Sequence, residues 1–265
     1  MSITAAEVNK LRKMTGAGMM DCKKALTESN GDFDAAVDYL RKKGQKVAAK
    51  RADRDATEGV VIAQTTGDHK NGVVVKISCE TDFVAKNDDF INFAKSIAED
   101  ELLAKQLDGV SIADKISEQV GKIGEKIEIA DYQVLGGDVV VPYIHMGYRI
   151  GVLVAMNQTI DNADEVGKDV AMQIAAMRPV AVSEDGVAQE AKDKELEIGR
   201  EQAIAEGKPE QIIEKIAQGK LNKFLKESTL LNQVFVKDSS KNIKQMLNDV
   251  QDGLTVTAFK RVELG

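Results

Sequence analysis

Over the first 40 residues the apolar positions recur every three or four residues, and the breaks between runs fall on glycines and on Asn-Gly. The stretch "TAAE" opens a first helix, because Thr4 can cap the amide near Glu7 and Glu7 can return the bond. Val8, Leu11 and Met14 then share a face. "TGAG" ends the helix, with Gly16 and Gly18 expected to supply backbone freedom. In the second helix, "MMDCKKALTES", Met19, Cys22 and Leu26 have the spacing of a buried stripe, whereas Met20 falls with Lys24 and Thr27 on the polar side. After "NGD", with Asp32 as a cap, "FDAAVDYLRKK" closes a small three-helix unit expected over residues 1–44, followed by a basic linker over 45–56.

From there the period changes to two. "GVVIAQTT", the turn "GDHKN" and "GVVVKISCE" read as an antiparallel hairpin. A helix capped by Asp88 follows, with Phe90, Phe93, Ala94, Ile97 and Ala98 as its apolar face; "SIADKISEQVGKIG" is helical and "EKIEIADYQVL" is a strand. The unit then returns. "IGVLVAMNQ" through "VAMQIAAMRP" aligns with the first hairpin and helix, so that Gly72 meets Gly151, and Ala94, Ile97 and Ala98 meet Ala171, Ile174 and Ala175. The expected fold is therefore α+β: a three-helix bundle and a duplicated hairpin-plus-helix core with antiparallel sheets, its halves at 57–138 and 139–265. Two charged amphipathic helices at about 187–228, joined at "GKP", interrupt the second half as a helical hairpin that would pack on the core or project as a coiled-coil arm.

The repeat is imperfect in one place. Where the first copy carries "TDFVAKNDDF", the second carries "TIDNADEVG", so the acid and ring of Asp82 and Phe83 exceed what joining a strand to a helix requires.

Composition narrows the class. Aromatic residues are 4% of the chain and tryptophan is absent, which favours an aliphatic core rich in helix. A net charge of −7 repels phosphate backbones at long range, leaving the basic run at 41–54 either as a solvated helix or linker face or as a local nucleic-acid or ribosome contact. Cys22 and Cys79 are expected in different domains as free thiols, and with only two histidines they do not make a recognisable zinc site. No apolar run approaches the roughly 20 residues that span a bilayer, and the amino terminus lacks a signal-peptide pattern, so the expectation is a cytoplasmic protein without a membrane partner.

Catalytic chemistry finds little support. "GAGMMDCKK" lacks P-loop spacing, His69 sits in a hairpin turn, and His145, at the tip of the second hairpin in "YIHMGYRIG", has no nucleophile arranged beside it. No catalytic residue, metal site or cofactor is expected. An interaction protein is.

"TGAGMMDCKKAL" at 15–26, "ETDFVAKND" at 80–88 and "RIGVLV" at 149–154 closely resemble the bacterial elongation factor Ts family, and the resemblance runs nearly end to end. It implies a UBA-like amino-terminal bundle and a coiled-coil insertion. It also implies a guanine-nucleotide exchange factor that binds elongation factor Tu, GDP-bound and nucleotide-free, without direct contact to nucleic acid, in a homodimer or 2:2 assembly if copies pair. Carried over by matching motif, Thr81, Asp82, Phe83 and Val84 would disturb the partner's Mg²⁺ site, with further contacts from Met19, Met20, Lys23, Ile123, Gly124, His145 and Val236. The sequence departs from some members by one extra residue around His145, by Lys237 where others have an apolar residue, and by ending at Gly265 where some add a helical module whose contacts are not expected here.

Overall fold

The computed structural model describes residues 3–104 and 109–265. Three helices open the chain: α1 (Ala5–Thr15), α2 (Met19–Glu28) and α3 (Phe33–Arg51). Thr4 and Glu7 form the reciprocal capping box, and Asp32 caps α3 by accepting from the Ala35 amide. Gly16 takes the left-handed φ of +68° that ends α1, whereas Gly18 is extended at φ −60°, so only the first position exploits glycine's freedom. Val8, Leu11, Cys22, Ala25, Leu26 and Ala36 form the bundle's small core.

Two expected members of that core lie outside it. Met14 is 58% exposed and Met19 50% exposed, because each sits in an end turn of its helix, where the stripe runs past the neighbour that would cover it. The expected linker is also shorter, since α3 continues as helix through residues 45–51. The middle of α3 packs on a later helix, Gly109–Ile123, so closely that a Cβ on Gly44 would lie 2.5 Å from the Ser117 carbonyl oxygen, while one on Gly121 would lie 2.9 Å from the Gly44 Cα.

Next come β1 (Glu58–Thr65), β2 (Asn71–Cys79), the single turn α4 (Asp82–Ala85), α5 (Asp88–Ala104), α6 (Gly109–Ile123) and β3 (Ile127–Gly136). The sheet order is β1-β2-β3. Phe90, Ala94, Ile97 and Ala98 of α5 are buried and Phe93 is half-buried, as the periodicity requires. Asp88 lies within the first turn, and it is Asn87 whose side chain accepts from the Asp89 amide.

The second hairpin joins β4 (Val139–His145) to β5 (Ile150–Met156) in antiparallel register from Val139 opposite Met156 to His145 opposite Ile150. α7 (Ala163–Met177) packs on both strands and buries Ala171, Ile174 and Ala175. α8 (Gln189–Ala205) and α9 (Glu210–Ser228) then form a packed helical hairpin, with Pro209 as the cap residue before α9. β6 (Val234–Phe235), β7 (Asp238–Asn242), α10 (Ile243–Val250) and β8 (Val256–Glu263) complete the chain. The order here is β4-β5-β8, so in both three-stranded sheets the second hairpin strand is central. Central position accounts for burial: all seven residues of β5 are buried.

The chain divides into two compact units, one comprising Met1–Ile62, Val75–Tyr132 and Glu263–Gly265, the other Ala63–Val74 and Gln133–Val262. The amino-terminal helices thus share a unit with α4, α5 and α6. Cys22 and Cys79, expected in different domains, both belong to it, and both are free and buried.

Candidate functional site

β2 ends at Cys79, and the backbone enters α4 through Glu80 and Thr81. Thr81 caps the turn, its hydroxyl accepting from the Val84 amide at 3.4 Å. Ala85 is buried beneath the turn and Val84 is half-buried, but the Phe83 ring is 83% exposed, the highest exposure among the large hydrophobic side chains described. The turn thus separates its apolar residues, Ala85 and Val84 facing inward and Phe83 facing solvent. Beside it, Asp82 accepts from Lys86 Nζ at 2.7 Å, and that bond, with the ammonium charge, lowers the carboxyl's pKa.

The loop beneath Phe83 is tied down by two glutamates. Glu125 Oε2 accepts from the Glu80 and Thr81 amides, each at 3.1 Å, and its Oε1 accepts from the Thr81 hydroxyl at 2.7 Å. Glu80 in turn accepts from the Lys126 amide at 2.6 Å, Arg51 at 2.7 Å and Arg54 at 3.0 Å. Burial pushes the Glu80 carboxyl up, but the Lys126 amide and the two guanidinium groups outweigh it and hold the pKa down to about 2. Burial, with the nearby Glu125 charge, raises the Cys79 thiol to about 12, so it stays protonated and donates to the Thr81 carbonyl.

Glu125 follows Ile123 and Gly124, two expected site residues at the end of α6. Ile123 is half-buried, and Gly124 closes the helix in the left-handed region at φ +81° with open space where a side chain would be. Lys122, one residue earlier, lies against Gly16 in the α1–α2 turn, its Cε 3.4 Å from where a Cβ would stand. The end of α6 therefore touches both the Thr81–Val84 segment and the turn that opens α2. On α2, Met20 is 74% exposed, Lys23 is exposed, and Met19 joins them on the surface.

The remaining two site residues belong to the second unit. His145 ends β4, half-buried, its Nδ1 2.8 Å from the Tyr143 hydroxyl. The turn after it runs through three consecutive left-handed residues, Met146, Gly147 and Tyr148. Val236 is 49% exposed between β6 and β7, and Gln173, fully buried on α7, holds it by accepting from its amide at 2.9 Å and donating to the Val234 carbonyl. Lys237 pairs with Asp169.

Four of the seven cations in the basic run at 41–54 are paired internally. Arg41 pairs with Asp114, Lys43 with Asp21, and Arg51 and Arg54 with Glu80, which leaves less free charge for phosphates than the sequence alone implies. Among the described residues no group of three or more His, Cys, Asp or Glu is placed to hold a metal ion, and no helix is long and apolar enough to cross a membrane. Glu80 and Glu125 were not identified from sequence, and no local signal marks them: Glu125 finds its partners 44 and 45 residues away.

The family model described as elongation factor TS matches residues 80–265, from the first glutamate of this loop to the last residue. The chain belongs to the elongation factor Ts family. The elongation factor Ts of Christiangramia forsetii is 54% identical over 99% of each chain, and that of Cytophaga hutchinsonii is 54% identical over the same shares. That of Amoebophilus asiaticus is 51% identical over the whole of both chains. The relatives extend through the three amino-terminal helices, which the family model leaves out. Membership makes this a factor of translation elongation, and the exposed ring of Phe83 lies within the matched region.

Proposed function

We propose that this chain is a guanine-nucleotide exchange factor for elongation factor Tu, and that it promotes GDP release by disturbing the partner's Mg²⁺ and phosphate site. In this reading the first three helices are a UBA-like partner-binding module and α8–α9 is a coiled-coil arm. The observation that carries the reading is Phe83, a ring held in water on a capped and anchored turn. Such a ring gains free energy only by entering another surface.

Exchange needs no bond to be made or broken in the factor. A GTPase holds GDP through backbone amides, a lysine and Mg²⁺, and a factor that binds the nucleotide-free form more tightly weakens the nucleotide by the same ratio. A thousandfold weakening corresponds to about 4 kcal/mol. Burying Phe83 supplies about 1.5–3 kcal/mol, so Met19, Met20 and the other contacts must favour the opened partner as well. Asp82 brings a carboxylate to the same place, where a negative charge or a competing hydrogen bond acts on metal coordination. The internal pairing of the basic run supports a protein surface over RNA as the target.

The test is stopped-flow release of fluorescent GDP from elongation factor Tu. Phe83→Ala is expected to slow stimulated release about tenfold or more, the loss of roughly 1.4 kcal/mol or above, with an unchanged melting temperature. Unchanged stimulation would sink the proposal for Phe83.

A further inference from the structure

We infer that Glu125 is a positioning residue for exchange, fixing the direction in which Phe83 is presented; the inference rests on the reading of Phe83 given above. Its carboxylate takes three donors from two adjacent residues, the amides of Glu80 and Thr81 and the Thr81 hydroxyl. That hydroxyl also accepts from the Val84 amide, so the bonding continues from Glu125 through Thr81 Oγ1 to the far side of Phe83. Glu80 returns the arrangement by accepting from the Lys126 amide. Each loop thus binds the other's backbone with a carboxylate, and the guanidinium groups of Arg51 and Arg54 close Glu80 from the end of α3. Charge-assisted bonds of this kind are shorter and stronger than neutral ones. Phe83 touches none of these groups through a hydrogen bond, yet its backbone lies between the two residues, Thr81 and Val84, that the network joins.

The chemistry separates two substitutions. Glu125→Leu keeps the approximate volume and removes every acceptor, leaving two amides and a hydroxyl without their partner. Glu125→Gln keeps one oxygen for the two amides and offers an N–H to the Thr81 oxygen, so all three contacts can persist with the hydroxyl reoriented. A role in presenting Phe83 predicts loss in the first and rescue in the second.

The experiment measures GDP release from elongation factor Tu over a range of factor concentrations, reading the plateau rate and the half-saturating concentration separately. Glu125→Leu is expected to lower the plateau about tenfold and to move half-saturation less, because Met19 and Met20 are untouched; Glu125→Gln stays within about threefold of the parent. In a Phe83→Ala background, Glu125→Leu adds no further loss, because the ring it orients is already gone. An unchanged plateau in Glu125→Leu, or full additivity with Phe83→Ala, overturns the inference while leaving the reading of Phe83 in place. No effect of Phe83→Ala alone takes down both. Should Glu125→Leu fail to fold, Thr81→Val, which replaces only the hydroxyl by a methyl group, carries the test: a plateau reduced in the parent but not reduced further in the Phe83→Ala background supports the role of Glu125, and any other outcome overturns it.

Discussion

The two strand-to-helix connections of the repeat join the same kinds of elements in opposite ways. After β2 the chain makes α4, turns Phe83 outward and is held by Glu125 and Glu80. After β5 the corresponding connection is spent on its own unit. Asn157 donates to the Gly253 carbonyl and accepts from the Thr255 amide, Gln158 donates to the Asp252 carbonyl, and the apolar residue Ile160 packs on the core. One connection turns its apolar side chain inward for stability, and the other turns it outward. Since the second unit forms without an outward ring, joining strand to helix does not require Phe83, and its exposure is what the proposed binding role would use.

The comparison breaks most visibly if the two apolar residues fail to trade effects. Phe83→Ala should cost about tenfold in exchange and nothing in stability. Ile160→Ala should cost about 2 kcal/mol of unfolding free energy, read by urea titration, with exchange unchanged at temperatures where it is folded. Glu80 sharpens the contrast through pH. Glu80 has a folded pKa held down to about 2 against an ordinary 4.5, so its contribution is fully present above about pH 4.5 and is lost as pH falls toward 2. Glu80→Gln should therefore lower stability at neutral pH and flatten the acid limb of a melting-temperature profile over that window. The smallest effect is expected at Met20. Met20→Ala should weaken partner binding about fivefold by calorimetry, roughly 1 kcal/mol, without lowering the melting temperature, and a large drop there would make it a core residue after all.

Much of the framework was legible because it is local. The Thr4 and Glu7 box, the Asp32 cap, both hairpins and the α5 stripe depend on residues within one or two turns of each other. Phe83 was legible for a different reason, the internal repeat, which supplied a copy of the connection without the ring. What was missed depends on distance along the chain. Arg41 meets Asp114 across 73 residues, Glu125 meets Thr81 across 44, and Gly44 meets Gly121 only because α3 crosses α6. The burial of Met14 and Met19 was misjudged for a subtler cause: periodicity gives the face of a helix but not where along that face the covering neighbour stops.

The capped single turn that carries Phe83 also has a thermodynamic signature. With Thr81 bonded to Val84 and Glu125 bonded to both preceding amides, the segment's backbone entropy has already been lost when the chain folds. Docking then has only the ring's two torsions to freeze at this position, with no loop to order. The heat-capacity change of association should accordingly follow the apolar area covered, without the excess that accompanies folding on binding.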